Sequence, residues 1–160
     1  MKNQLYVKDQ LVKCSICGHV ATQDQYGNGE CKNCGWKFSK DEEELEKKAG
    51  VSYPMLVTPT TAREQYKKGL PFKATFDEFV NGLYFYSEML FEYNNEIYEV
   101  FLRANNNSKS NEDCDIVFCS KNMQQEYKTR QDFESKANIG GILLKELWSK
   151  INNPSYMYCG

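Results

Sequence analysis

From Thr75 onward the hydrophobic positions follow regular periods. Phe76, Phe79, Val80 and Leu83 fall at helical spacing behind the capping box Thr75-Phe-Asp-Glu78, which predicts a helix with one apolar face. After it the period changes to two. Asn94-Asn95 suits a two-residue turn, because Asn tolerates left-handed backbone. A hairpin about that turn sets Tyr93 opposite Glu96, Phe91 opposite Tyr98 and Met89 opposite Val100. One face then gathers Met89, Phe91, Tyr93, Tyr98, Val100 and Leu102, and the other carries Glu92, Glu99 and Arg103. A slip of one residue would invert both faces, so this register is a definite expectation. Asn105–Asp113 reads as a polar loop, Asp115–Ser120 as a third strand, Glu126–Arg130 as a fourth and Asp132–Lys136 as a short helix. Ile139–Ile151 reads as a closing amphipathic helix, with Leu143, Leu147 and Ile151 on one stripe beside Leu144 and Trp148.

The first half is less periodic. Ser39-Lys-Asp-Glu42 has the form of a capping box and opens an acidic helix to about Ala49, with Gly50 as its stop. Val51–Pro59, with two prolines, reads as an extended connector. Thr61-Ala-Arg-Glu64 reads as another box, starting a short helix that Gly69 and Pro71 end. The pattern divides the chain into residues 1–38, a helical connector over 39–74, and a small domain over 75–160. The expected class is α+β: an antiparallel meander sheet covered by helices, preceded by a small cysteine-bearing module.

That module changes the picture. Four of the seven cysteines form two Cys-x-x-Cys-Gly units, Cys14–Gly18 and Cys31–Gly35, with thirteen residues between the inner cysteines. A Cys-x-x-Cys turn can aim two sulfurs at one ion, and the trailing glycine can take the positive φ that such a turn needs. Tyr26-Gly27-Asn28-Gly29 reads as a hairpin turn between the units. Two rubredoxin-like knuckles joined by a hairpin make a zinc ribbon, with Cys14, Cys17, Cys31 and Cys34 as ligands of one zinc ion. Iron suits the same knuckles, and a redox pair is the other use of Cys-x-x-Cys. Four thiolates close the coordination sphere, as in structural sites. The single histidine, His19, then stands beside the ligands rather than among them. Cys114, Cys119 and Cys159 are scattered and carry no assignment.

Residues Cys14–Gly69 resemble the bacterial cysteine-rich CPCC proteins. The shared features are the two knuckles, Trp36 directly after the second, and the segment Ala62-Arg63-Glu64-Gln65-Tyr66-Lys67-Lys68. The resemblance covers about a third of the chain and implies a zinc ribbon followed by a helical segment, with no particular activity. The first knuckle departs from it, being Cys-Ser-Ile-Cys without proline, and Lys37-Phe38 replaces the usual acids after Trp36. The second half is similar to a small uncharacterised α+β domain of Firmicutes and mobile-element proteins. The matching features are Phe76-Asp77-Glu78-Phe79, the tyrosine-flanked hairpin, and Gly141, Leu144 and Trp148. This likeness implies a phage or mobile-element accessory protein, such as an inhibitor of host defence.

Charge and composition narrow the function classes. The net charge is −2, with 12 basic and 9 acidic residues up to Ala74 and 8 and 13 after it, an asymmetry too mild to imply nucleic-acid binding. No run of about 18 apolar residues suggests a membrane span, and the first thirteen residues lack a signal-peptide pattern, so a cytoplasmic location is expected. No Ser-His-Asp, Cys-His or phosphate-loop arrangement is visible, and Gly140-Gly141 lacks the third glycine and lysine of one, so no catalytic residue is assigned. Eleven tyrosines suit first an amphipathic layer at the edge of the core and second a protein interface, for which Tyr84, Tyr86, Tyr93 and Tyr98 are the interaction candidates. Trp36 and Phe38, beside Lys32, Lys37 and Lys40, are candidates for packing on the ribbon or for stacking on bases. The expected function is a non-enzymatic zinc-ribbon protein that binds another protein; the alternative is nucleic-acid binding through the ribbon.

Overall fold

A computed structural model describes residues 9–156. The described residues begin with a four-stranded antiparallel meander of β1 (Gln10–Lys13), β2 (Val20–Gln23), β3 (Gly29–Glu30) and β4 (Lys37–Phe38). Lys13 pairs with Val20 and Glu30 with Lys37, so each cysteine unit is the tip of a hairpin, over residues 14–19 and 31–36. Asp24 organises the turn between the hairpins: its carboxylate accepts from the Tyr26 and Asn28 backbone N–H groups at 2.8 and 2.9 Å, and Gly27 takes φ 86°.

Helix α1 (Glu42–Ala49) stops at Gly50 as expected, in left-handed geometry, where an added side chain would meet Asn81 at 2.5 Å. Its start differs from expectation. The N-cap is Asp41, no side chain caps the helix, and the box over Ser39–Glu42 does not form, because Glu42 turns into the interior. Helix α2 (Pro59–Lys67) begins at Thr58 rather than Thr61. Pro59 fits the first helical position, where no N–H is needed, and Thr58 Oγ1 accepts from Thr61 N at 3.4 Å.

Helix α3 (Phe76–Tyr86) carries the expected capping box and fully buries Phe79, Val80 and Leu83. It packs on a second antiparallel sheet, in which the strands lie in the order Asn152–Tyr156, Glu88–Tyr93, Glu96–Arg103, Asp115–Ser120 and Met123–Tyr127. Strands β5 (Glu88–Tyr93) and β6 (Glu96–Arg103) pair in the expected register about Asn94-Asn95, which take φ 48° and 60°. Strand β7 (Asp115–Ser120) has the bounds expected for the third strand. Strand β8 (Met123–Tyr127) comes three residues earlier than expected, because Lys121-Asn122 turns the chain at once and Thr129 already caps α4 (Arg130–Lys136). On the outer face of this sheet Arg103 donates twice to Glu126, and Lys128 donates to the buried Asp115 at 2.6 Å.

The last segment corrects the sequence reading most. Ile139–Ile151 is not one helix. Gly140 and Gly141 take φ 58° and 86° and form a two-residue turn between β9 (Asn138–Ile139) and β10 (Ile142–Leu143). Only α5 (Leu144–Leu147) and a short 3-10 turn follow. Leu144, Leu147, Trp148 and Ile151 are nonetheless buried, since the apolar stripe still faces the core. The chain then forms β11 (Asn152–Tyr156) against β5, a strand that the sequence reading missed.

The core centres on Trp148, whose ring lies 4.9 Å from Phe79 and 6.0 Å from Phe91 and whose indole N–H donates to the Ala74 carbonyl at 2.9 Å. One buried cluster runs from Cys14, Trp36 and Phe38 through Leu56 and Val57 to Phe79 and Phe118. Polar ties follow the same path. The Glu78 carboxylate accepts from Thr58 N at 2.7 Å and Thr75 N at 2.9 Å, which joins the starts of α2 and α3. Among the described residues no helix is long and apolar enough to cross a membrane.

Candidate metal centre

The two hairpin tips repeat one backbone plan. Cys14 N donates to His19 O and Cys31 N to Trp36 O, both at 2.8 Å. Gly18 N donates to Cys14 O at 2.9 Å and Gly35 N to Cys31 O at 2.8 Å. Gly18 and Gly35 take φ 77° and 78°, left-handed values that a side chain would strain. The identical spacing thus folds into two equivalent turns, each offering two sulfurs toward the other.

The four Sγ atoms of Cys14, Cys17, Cys31 and Cys34 lie within 4.8 Å of one another. Cys17 and Cys31 approach to 3.5 Å and Cys14 and Cys34 to 3.8 Å, and all four are free thiols. A tetrahedron of thiolates about an ion at ~2.3 Å has edges of roughly 3.8 Å. The observed spacing fits a single ion of that kind. Cys14 and Cys31 are buried, whereas Cys17 and Cys34 are half-buried on the outer side. Ile16 N donates to Cys14 Sγ at 3.4 Å, which helps the sulfur carry negative charge. Burial pushes the Cys14 thiol up, and it does the same for Cys34. Burial also works against ionisation of Cys17, but bonds from His19 N, Asn33 and Cys31 outweigh it and bring that thiol to about 6.

Residues that the sequence reading left unassigned surround the cluster. Glu42 is 6% exposed, and its Oε1 accepts from Ser15 Oγ at 2.9 Å while its Oε2 accepts from Trp36 Nε1 at 3.0 Å. Burial pushes its carboxyl above the usual range, against the pull of those two donors. Arg63 of α2 donates to the Ser15 carbonyl at 3.0 Å and pairs with Glu43. Asn33 contacts His19 at 3.1 Å and donates to the Tyr66 hydroxyl at 3.5 Å. No local pattern marks Glu42 for this task, since its place in a capping-box motif accounts for it equally well.

The interaction candidates fall into two groups. Trp36, Phe38 and Tyr98 are buried, and Trp36 stacks edge-on against Phe72 at 5.5 Å. Trp36 and Phe38 therefore pack under the cysteine hairpins. Tyr84, Tyr86 and Tyr93 are half-buried. Arg130 lies over the Tyr84 ring at 5.7 Å, and the Tyr86 hydroxyl donates to Ser52 O at 2.9 Å. His19 is exposed and joins no ligand set. Cys114 is buried and Cys119 half-buried, both outside the four-sulfur cluster, and Cys159 lies outside the described residues. No protein-family profile, curated protein or solved structure matches the chain.

Proposed function

We propose that Cys14, Cys17, Cys31 and Cys34 bind one zinc ion as the closed structural centre of a zinc ribbon, and that the protein works without catalysis by binding another protein. The observation that carries this reading is the convergence of four Sγ atoms within 4.8 Å. Four thiolates satisfy a tetrahedral ion and leave no position for substrate, so the ion serves to hold the hairpins. Elemental analysis of the purified chain is expected to find one zinc per molecule. Iron would announce itself by colour, and a metal-free, fully folded chain would refute the assignment.

Support for a protein partner comes from the outer face of the β1–β2 hairpin. Leu11 and Val20 are 75% and 69% exposed there, diagonal to one another on one face. A pull-down with the intact chain should capture a partner that Val20→Glu loses while the zinc content stays the same. Capture that Val20→Glu leaves untouched would count against this surface. Tight binding of labelled DNA or RNA that weakens steeply with salt would replace the protein partner with a nucleic acid. The likeness to the cysteine-rich CPCC proteins belongs to the same reading, supported by Arg63 and Tyr66, which stand beside the hairpin tips.

A further inference from the structure

Glu42 opens α1, yet its carboxylate faces inward and touches both cysteine turns. Ser15, which donates to Oε1 at 2.9 Å, stands between Cys14 and Cys17. Trp36, which donates to Oε2 at 3.0 Å, closes the second turn, and its own carbonyl accepts from Cys31 N. Neither donor belongs to α1. Both are positioned by the turns, whose four sulfurs lie within 4.8 Å of one another.

Hydrogen bonds to a carboxylate are charge-assisted and strong, and a buried carboxylate that loses its donors is costly. If the turns separate, Glu42 loses both donors together and α1 cannot remain seated with that side chain inside. The reverse holds as well: a seated α1 holds Ser15 and Trp36 at the separation that brings the sulfurs together. Helix α2 closes the loop. Glu46 accepts from Thr60 N at 3.0 Å, Glu43 pairs with Arg63, and Arg63 returns to the Ser15 carbonyl. Arg63 also supplies positive charge beside an anionic thiolate centre and a buried carboxylate.

We propose that Glu42 is a positioning residue that makes cation binding by the four cysteines and seating of α1 on the two turns a single event. The inference rests on the metal reading above. Its consequence reaches further than the cysteines. The far end of α1 carries Lys48 and Ala49 into the wall of a cavity of about 560 Å³, completed by Asn81, Tyr84, Thr129 and Arg130. The state of the cysteine centre therefore governs one wall of a cavity at the other end of the helix.

The test uses the full chain as wild type and as Glu42→Ala, Glu42→Gln and Ser15→Ala. Cobalt(II) titration reports the thiolate-to-metal absorption, competition with a chromophoric chelator gives zinc affinity, and hydrogen exchange follows the α1 amides. Glu42→Ala is expected to weaken zinc binding about 10- to 100-fold, the range for removing a group that orients metal ligands. Glu42→Gln should recover part of that loss, since its amide oxygen can accept from Trp36 while its amide nitrogen donates to Ser15. The shape of the cobalt spectrum should be unchanged in every variant. Metal should slow exchange in wild-type α1 roughly tenfold or more but leave α1 of Glu42→Ala unprotected. A zinc affinity of Glu42→Ala within about twofold of wild type, or an α1 equally protected with and without metal, overturns the coupling. If Glu42→Ala does not fold, Ser15→Ala decides, because it removes a single hydroxyl from an exposed residue; a loss of a few-fold supports the coupling and no loss overturns it. A wild-type chain that takes up no cobalt refutes the metal reading itself, whereas normal loading by wild type and Glu42→Ala alike refutes only the role of Glu42.

Discussion

Strands β1 to β4 are two to four residues long, and Leu11 and Val20 of this sheet face solvent. Strands β5 to β7 run six to eight residues and bury Met89, Phe91, Tyr98, Val100, Ile116 and Phe118 beneath α3 and Trp148. The longer sheet buries many large apolar side chains, the main offset to the entropy of ordering a chain. The shorter one has few ladder bonds and a small share of the core, principally Trp36, Phe38, Ala21 and the cysteines. What distinguishes it is four sulfurs meeting at one point. The contrast teaches that one continuous interior can combine two sources of order: broad apolar burial at one end and a point centre at the other.

The sharpest way to break that comparison is to withhold the zinc ion proposed for the four cysteines. Zinc held by four thiolates supplies on the order of 10 kcal/mol of local folding free energy. Excess chelator is therefore expected to release amide protection at residues 14–19, 31–36 and α1, while β5, β6 and β7 stay protected from hydrogen exchange. Equal loss in both sheets would erase the distinction. Next in size is Phe79→Ala, which opens a cavity among Phe91 and Trp148 and should cost about 3–5 kcal/mol in denaturant unfolding. Zinc content of the folded fraction should not change, and a matching loss of zinc would mean that the two ends are one cooperative unit.

Acidity tests the point centre alone. Burial raises the Cys14 and Cys34 thiols, so both keep their protons near neutral pH, whereas Cys17, at about 6, is already mostly ionised there. Binding must then displace at least two protons at pH 7, and zinc affinity should rise at least about 100-fold per pH unit around neutrality and fall correspondingly on acidification. Chelator competition across pH 6–8 checks the slope, and a flat profile would contradict thiolate ligation. The smallest expected effect belongs to the apolar end. Thr75→Ala removes the N-cap of α3 and should cost about 1 kcal/mol in unfolding without changing metal affinity.

The elements legible in the sequence depend on near neighbours. The β5–β6 register follows from alternation and an Asn-Asn turn within fifteen residues, and the α3 cap from positions three apart. The Cys-x-x-Cys-Gly units announce their own turns. Gly140-Gly141 carried a hairpin signal too, but the apolar stripe after it has helical spacing and invites one long helix, although it is buried as a single helical turn and a 3-10 turn. Glu42 satisfied a capping motif and was drawn instead to donors supplied by the hairpin tips.

The sequence by itself determined which cysteines could meet, the face of α3 that turns inward, and the pairing of β5 with β6, because backbone geometry and side-chain periodicity act over a few residues. The tertiary structure alone decided that Glu42 bridges Ser15 and Trp36, that β11 closes the sheet edge beside β5, and that Trp36 and Phe38 pack beneath the hairpin tips. Those outcomes hang on partners far along the chain, such as Asn152 opposite Glu92, and a buried polar group or a free strand edge takes whichever partner the packed fold brings within reach.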